Sequence, residues 1–147
     1  MGGADGHIHG NLETGDGIPE NYFDCMICTQ TIQMIYDIHA VVKNIYRLLK
    51  PGGTLLLTAS GISQISKNDY DNWGEYWRFT KISMEKLMEE VFPKESILVE
   101  SWGNVKTAIG FMYGFCQEDL TEDDYGYNDD QYPLIVTAKC KKLTSHD

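Results

Sequence analysis

YFDCMICTQ (residues 22–30), TIQMIYDIHAVVKNIYRLLKPGG (31–53) and TLLLTAS (54–60) follow one another without a break, and their periods decide the fold. Tyr22 to Thr29 and Thr54 to Ala59 are short runs with few polar residues, the composition of strands buried on both faces. Between them Ile38, Val41, Val42, Ile45, Leu48 and Leu49 recur at spacings of three and four, with Lys43, Asn44, Arg47 and Lys50 among them. That spacing predicts an amphipathic helix capped by Asp37. Pro51, Gly52 and Gly53 are expected to stop it, and Arg47 and Lys50 suit the negative end of its dipole. Strand, helix and strand with short connections make a βαβ unit, with parallel strands and a right-handed crossover. The fold class is therefore α/β.

Working outward, residues 59–82 are a long polar and aromatic connection, read as a loop or lid in which Trp73, Tyr76, Trp77 and Phe79 argue against disorder. Ser83 is expected to cap a helix over Met84 to Phe92, and Ile97 to Trp102 reads as a third strand. Residues 103–131 read as a helical and acidic insertion. Its helix reaches about Cys116, with Ala108, Ile109, Met112 and Phe115 as the apolar face. Seven acidic residues then lie between Glu118 and Asp130, out of register with an EF-hand, so a solvated surface loop is expected. Leu134 to Cys140 is a last strand. Upstream, Asn11 to Asn21 is rich in Gly, Asp, Glu and Pro and reads as a loop.

The chain has 147 residues, one domain's worth, with 42% hydrophobic residues. Lys and Arg number 12 against 22 Asp and Glu, a net charge of −10 that repels a phosphate backbone and argues against nucleic acid. The densest basic run, Lys139 with Lys141 and Lys142, reads as a solvated tail. No apolar run reaches the ~18 residues of a membrane span, and the first residues lack a signal-peptide core, so a cytoplasmic location is expected. Cys25 and Cys28 form a CxxC, but inside a strand they face opposite sides and cannot share a metal; with Cys116 and Cys140 they are expected to be reduced core thiols. His7 and His9 would share a face of a strand, yet no further ligand has suitable spacing, so no metal is assigned. His39 and His146 carry no signal.

Taken in order, IPENYFDCMICTQTIQMIYD, a crossover helix ending RLLKPGG and the strand TLLLT resemble the second half of a class I S-adenosylmethionine-dependent methyltransferase. The resemblance runs from about His7 to Lys142. It implies a Rossmann-like fold in which these are the fourth and fifth strands, and in which the sixth and seventh form an antiparallel hairpin. It also implies a glycine-rich turn after a first strand and an acidic residue ending a second, which together hold the cofactor. Neither is found here: Gly15-Asp16-Gly17 has Glu20 where a third glycine is required and no apolar strand before it. At roughly 30 residues per βαβ step the whole fold needs on the order of 200 residues. The chain is thus expected to be a single, N-terminally truncated methyltransferase domain with a partial cofactor site. An intact small protein that begins at this point is the other reading.

By position in that family, Asn11 and Leu12 would contact the adenine, and Thr29 and Gln30 the methionine portion of the cofactor. Methyl transfer asks the protein mainly for alignment, with a base added when the acceptor is a hydroxyl. The lid implies Asp69 as that base and Tyr70, Trp73, Tyr76, Trp77 and Arg78 as contacts to a small-molecule acceptor, a sugar or another hydroxyl compound. A structural lid packed on the sheet edge is the competing reading of the same residues. A second function is a non-catalytic module that pairs with itself or another chain, since loss of the first strand would bare residues 22–30 along a backbone edge.

Overall fold

The computed structural model describes residues 7–144; His146 lies outside them. Its sheet contains β1 (Phe23–Thr29), β2 (Leu49–Ser60), β3 (Ile97–Trp102) and β4 (Ile135–Lys141) in the spatial order β1-β2-β4-β3. β1 and β2 are parallel, and β4 runs antiparallel to both β2 and β3. The parallel β1-β2 pair and the antiparallel β3-β4 hairpin are the arrangement that the resemblance implies for its fourth to seventh strands.

Between β1 and β2 lies α1 (Ile38–Leu48), with Asp37 at its N-cap accepting from the Ala40 N–H. Ile38, Val41, Val42, Ile45 and Leu48 are buried, as the spacing predicts. The helix ends earlier than expected, however, and not at the Pro-Gly-Gly. Leu49 is already extended and pairs with Phe23. A residue before proline is pushed out of the helical region, so Pro51 forbids helix at Lys50. Lys50 to Gly53 instead bulge out of β2 before pairing resumes at Cys25 and Thr54. Gly53 sits so close to neighbouring backbone that a Cβ there would stand 2.8 Å from the Lys50 carbonyl and 3.1 Å from that of Phe23.

α2 (Lys67–Asn72) forms inside the connection after β2, and α3 (Lys81–Glu89) follows it. Thr80, not Ser83, is the N-cap of α3; Ser83 is the return half of a capping box whose hydroxyl accepts from the Thr80 N–H. α1 packs on β2, α3 on β3 and β4, and the two helices on each other. They cover one sheet face, which carries Leu55, Leu57, Ala59, Val99, Val136, Ala138 and Cys140.

The other face is open, which overturns the expectation that β1 and β2 are buried on both sides. Ile27 is 72% exposed, Leu98 54% and Leu56 38%. The buried-run composition of TLLLTA describes a strand whose second face has no helix against it among the described residues. The cysteines divide the same way: Cys28 and Cys140 are buried, while Cys25 and Cys116 are exposed and are not core thiols. Burial pushes the Cys140 thiol up to about 12, and it raises Cys28 against a hydrogen bond with Thr31 that lowers it. His7 and His9 lie in irregular backbone, so the shared strand face expected of them does not form.

Lys142 is not part of a solvated tail. Its ammonium donates to the Tyr46 and Leu49 carbonyls, both at 2.8 Å, and to Asn21 Oδ1 at 3.0 Å, and it lies 4.7 Å above the Tyr46 ring. It therefore closes the carbonyl end of α1. His39 also has a partner, with its Nδ1 2.7 Å from Oε1 of Glu90, the C-cap of α3. Among the described residues no helix is long and apolar enough to cross a membrane.

The stretch between β3 and β4 holds α4 (Val105–Tyr113) and the short α5 (Glu122–Gly126). Asn104 caps α4, and Gly114 ends it with φ 75°. Thr107, Ala108 and Gly110 are its buried residues, whereas Ile109, Met112 and Phe115 are 46%, 54% and 50% exposed. Of the predicted apolar face only Ala108 is covered. Asp124 is held by Lys106, 2.8 Å from both carboxylate oxygens, and by the Thr121 N–H and hydroxyl.

Ile45→Ala is expected to cost about 2–5 kcal/mol in urea unfolding, while Ile27→Ala on the open face stays within about 0.5 kcal/mol. The Lys106 and Thr121 bonds hold Asp124 down to about 2 from its usual 3.8. Their contribution is complete above the unfolded value and lost as pH falls through the folded one. Protease resistance of the insertion should therefore fall between about pH 4 and pH 2, and the Asp124→Asn variant should lack that step.

Candidate functional site

Ligands of open α/β sheets sit beyond the carboxyl ends of parallel strands. Here those ends are Thr29 and Ser60, and the chain leaves β1 through Gln30, which has φ 49°. A non-glycine residue in the left-handed region is uncommon, and this one is held from several sides. The Gln30 N–H donates to the Thr58 carbonyl at 2.9 Å, and its side-chain Oε1 accepts from the Ser60 hydroxyl at 2.7 Å and from Gln33 Nε2 at 3.0 Å. Thr31 folds its hydroxyl back onto the Thr29 carbonyl at 2.9 Å. The two strand ends are thus tied by side chains as well as by the ladder.

Gln33 is the centre of this knot. It is 2% exposed, and its Oε1 is buried without a hydrogen-bond donor among the described residues. Such an acceptor costs about 1–3 kcal/mol, so a donor reaching it would be favoured by that much. Its backbone carbonyl accepts the Tyr76 N–H at 2.8 Å and the Trp77 N–H at 3.3 Å, which fastens the lid to the segment after β1.

The lid leaves β2 at Ser60 and returns where the Phe79 N–H donates to the Ser60 carbonyl at 2.9 Å, so its ends meet. Glu75 braces it from inside. Its side chain is 6% exposed, pairs with Arg78 at 2.7 Å and accepts the Ser66 N–H at 2.8 Å. Arg78 also donates to the carbonyls of Trp77 and Gln64. Trp77 donates its indole N–H to the Ile35 and Tyr36 carbonyls, at 3.1 and 3.2 Å. Tyr36 and Tyr76 meet edge to face at 5.4 Å.

Tyr70, Trp73 and Tyr76 come together, 57%, 70% and 51% exposed, around a shallow cleft of about 460 Å³. Asp69 lies on α2 outside that lining, and its carboxylate forms no ion pair among the described residues. Arg78 points its guanidinium into the lid itself, whereas Trp77 directs its indole N–H to the segment after β1. Asn11 turns its Oδ1 onto the Glu13 and Thr14 N–H groups, at 2.7 and 3.2 Å. The Leu12 carbonyl accepts from Asn44 Nδ2 at 3.1 Å, and its side chain packs on the core. Glu13 Oε1 accepts the Asp37 N–H at 3.1 Å, which brings this loop to the start of α1, where the segment leaving Thr29 and Gln30 also ends. Gln33, Thr58, Ser60 and Glu75 are absent from the sequence-derived set. The one available signal was Gln33, a lone amide within the apolar turn TIQMI.

A parallel β1-β2 pair, an antiparallel β4 placed inside β3, and a lidded site at the ends of β1 and β2 define the class I methyltransferase fold. The family model described as "Methyltransferase domain" matches residues 3–57. Among solved structures, a Haemonchus contortus phosphoethanolamine N-methyltransferase in complex with S-adenosyl-L-methionine superposes with a TM-score of 0.55 at 20% identity, covering 86% of this chain and 35% of that one. A Thermotoga maritima SAM-dependent methyltransferase, described as a possible histamine N-methyltransferase, gives 0.56 at 18% identity, covering 90% and 62%. A probable polyketide synthase of Dictyostelium discoideum is 24% identical over 70 residues, 48% of this chain and 3% of that protein. The chain resembles methyltransferases in sequence and has their fold, and it spans about a third of the Haemonchus enzyme's length.

Glu75→Gln keeps the side chain's size but removes the charge that Arg78 meets, at a cost of about 1–3 kcal/mol. Trypsin is expected to cut the variant after Lys67 and Arg78 faster than the parent, with a red shift in Trp77 emission. Unchanged cutting would show that the pair does not hold the lid.

Proposed function

We propose that the chain is the acceptor-side part of an S-adenosylmethionine-dependent methyltransferase acting on a small molecule. The observation that carries this reading is the knot of Gln30, Gln33 and Ser60 at the ends of two parallel strands, with an aromatic lid fastened above it.

The residues present fit part of the cofactor. The orphaned Gln33 Oε1 offers an acceptor to an ammonium donor such as that of the methionine portion, beside Thr29 and Gln30. Asn11 and Leu12 are the adenine side by position, and Asn11 keeps its Nδ2 for that role. The described residues include no glycine-rich turn and no acid for the ribose, so this chain offers a partial site. When bound, S-adenosylmethionine supplies an already activated methyl group. Tyr70, Trp73 and Tyr76 hold the acceptor against the strand ends and exclude water, with Trp77 and Arg78 fixing the lid that carries them. Where the acceptor is a hydroxyl, Asp69 takes its proton.

Titration of the labelled full chain with S-adenosylhomocysteine tests this. Amide shifts at Asn11, Leu12, Thr29 and Gln30, saturating only in the high-micromolar to millimolar range, are expected, and Gln33→Leu should weaken them several-fold. Absence of shifts at these residues would overturn the site, and low-micromolar binding would overturn its partial character.

A second reading rests on β1, which pairs with β2 on one edge and has no strand on the other among the described residues. Its free N–H and C=O groups suit pairing with a second copy, as a non-catalytic module or within the enzyme. Dimers in sedimentation that a Met26→Pro substitution abolishes would support it; a stable monomer would contradict it.

A further inference from the structure

The 103–131 insertion, together with Trp102, Leu134 and Ile135, lines a half-open cavity of about 350 Å³ that none of the residues above uses. Trp102, Phe111, Phe115, Leu120, Tyr125 and Ile135 dominate its lining. That volume is at the lower end of small-molecule pockets.

Its walls are pinned. Asn104, 3% exposed, caps α4 and donates from Nδ2 to the Asp124 and Tyr127 carbonyls, both at 2.7 Å. The Asp129 N–H donates to the Gly103 carbonyl at 2.8 Å. The polar groups of the lining are mostly satisfied by the protein itself. The Trp102 indole N–H donates to Thr137 Oγ1, the Tyr125 hydroxyl to the Gln117 carbonyl, and the Thr107 hydroxyl to the Asn104 carbonyl. Asn128 Oδ1 accepts the Gly103 N–H. A ligand there meets carbon surface and ring faces, with the Asn128 amide as the remaining side-chain donor.

Two further observations set what it takes. Ile135 pairs across the sheet with Ser60 and with Trp102, so the three share a face and the cavity begins one strand spacing, ~4.8 Å, from Ser60. Ser60 is part of the knot at the strand ends. The lining residues Leu120, Tyr125 and Asn128 also alternate with Glu118, Asp119, Glu122, Asp123, Asp124, Asp129 and Asp130, while Lys106 is the one basic residue of the insertion. Carboxylates within a Debye length, ~8 Å, repel an anion and favour a cation.

We infer that this cavity is the specificity pocket for the methyl acceptor, and that it takes the aromatic or branched-aliphatic part of a neutral or cationic molecule while rejecting anionic ones. The inference rests on the methyltransferase reading for its link to methyl transfer. It separates this chain from enzymes whose acceptor is a small phosphorylated compound, since a phosphate would meet a single neutral amide donor and no positive field there.

Phenethylamine and phenylacetate carry the same ring with opposite charge and serve as probes of the full chain. Phenethylamine is expected to move the methyl resonances of Leu120, Leu134 and Ile135 and to quench Trp102, with phenylacetate at least ~10-fold weaker at low salt, a difference of about 1.4 kcal/mol. Leu120→Trp fills the space and should abolish the amine's effect while leaving the S-adenosylhomocysteine shift at Gln30 unchanged. If that variant does not fold, the methyl map of the parent chain decides. Unmoved methyls, or equal binding of the two probes, would overturn the inference. Probe binding in a chain that ignores S-adenosylhomocysteine would support the pocket and overturn the methyltransferase reading separately.

Discussion

The structure depends on β2 being hydrogen-bonded on both sides, parallel to β1 on one and antiparallel to β4 on the other. Leu55, Leu57 and Ala59 alternate from it into the core, where α1 and α3 close over them. Its end, Ser60, is at once the floor of the site, the root of the lid and the cross-strand neighbour of Ile135. Because the pleat alternates strictly, a slip of one residue in this strand would exchange the core leucines for Leu56 and Thr58 and dismantle the site with the core.

Elements governed by local period were legible in the sequence. α1, its Asp37 cap and β3 lie where spacing and composition put them, and the parallel β1-β2 pair and the β3-β4 hairpin follow once RLLKPGG is taken with its neighbours. What escaped was set by tertiary context. TLLLTA reads as doubly buried because apolar composition reports a face's chemistry and not what lies against it. The apolar face assigned to α4 failed for the same reason: Ile109 and Met112 have helical spacing but no sheet beneath them. Lys142 looked like a tail residue because the carbonyls it caps belong to a helix almost a hundred positions earlier.

The site divides along the same line. The lid aromatics stand out in sequence by composition alone. The groups that hold them in place are amides and a carboxylate, Gln33 and Glu75, whose importance comes from burial and from partners distant in the chain. A buried polar group that is fully paired fixes one arrangement, and Glu75 does this for the lid. Gln33 is paired through its amide nitrogen while its buried Oε1 lacks a donor, so the knot that braces the lid also holds one acceptor unsatisfied.

The position of β4 has a consequence for how the protein is made. The strand lies between β2 and β3, yet residues 135–141 are synthesised after both. Until they emerge, β3 has no neighbour to pair with, and β2 shows the solvent the edge that will become the middle of the sheet. Vectorial folding during translation can therefore complete only the β1-α1-β2 unit. The remainder must wait for a strand threaded between two partners, a step of high contact order that is slow and leaves apolar edges exposed to other chains. The nascent chain is thus most prone to self-association in the interval between finishing β3 and finishing β4.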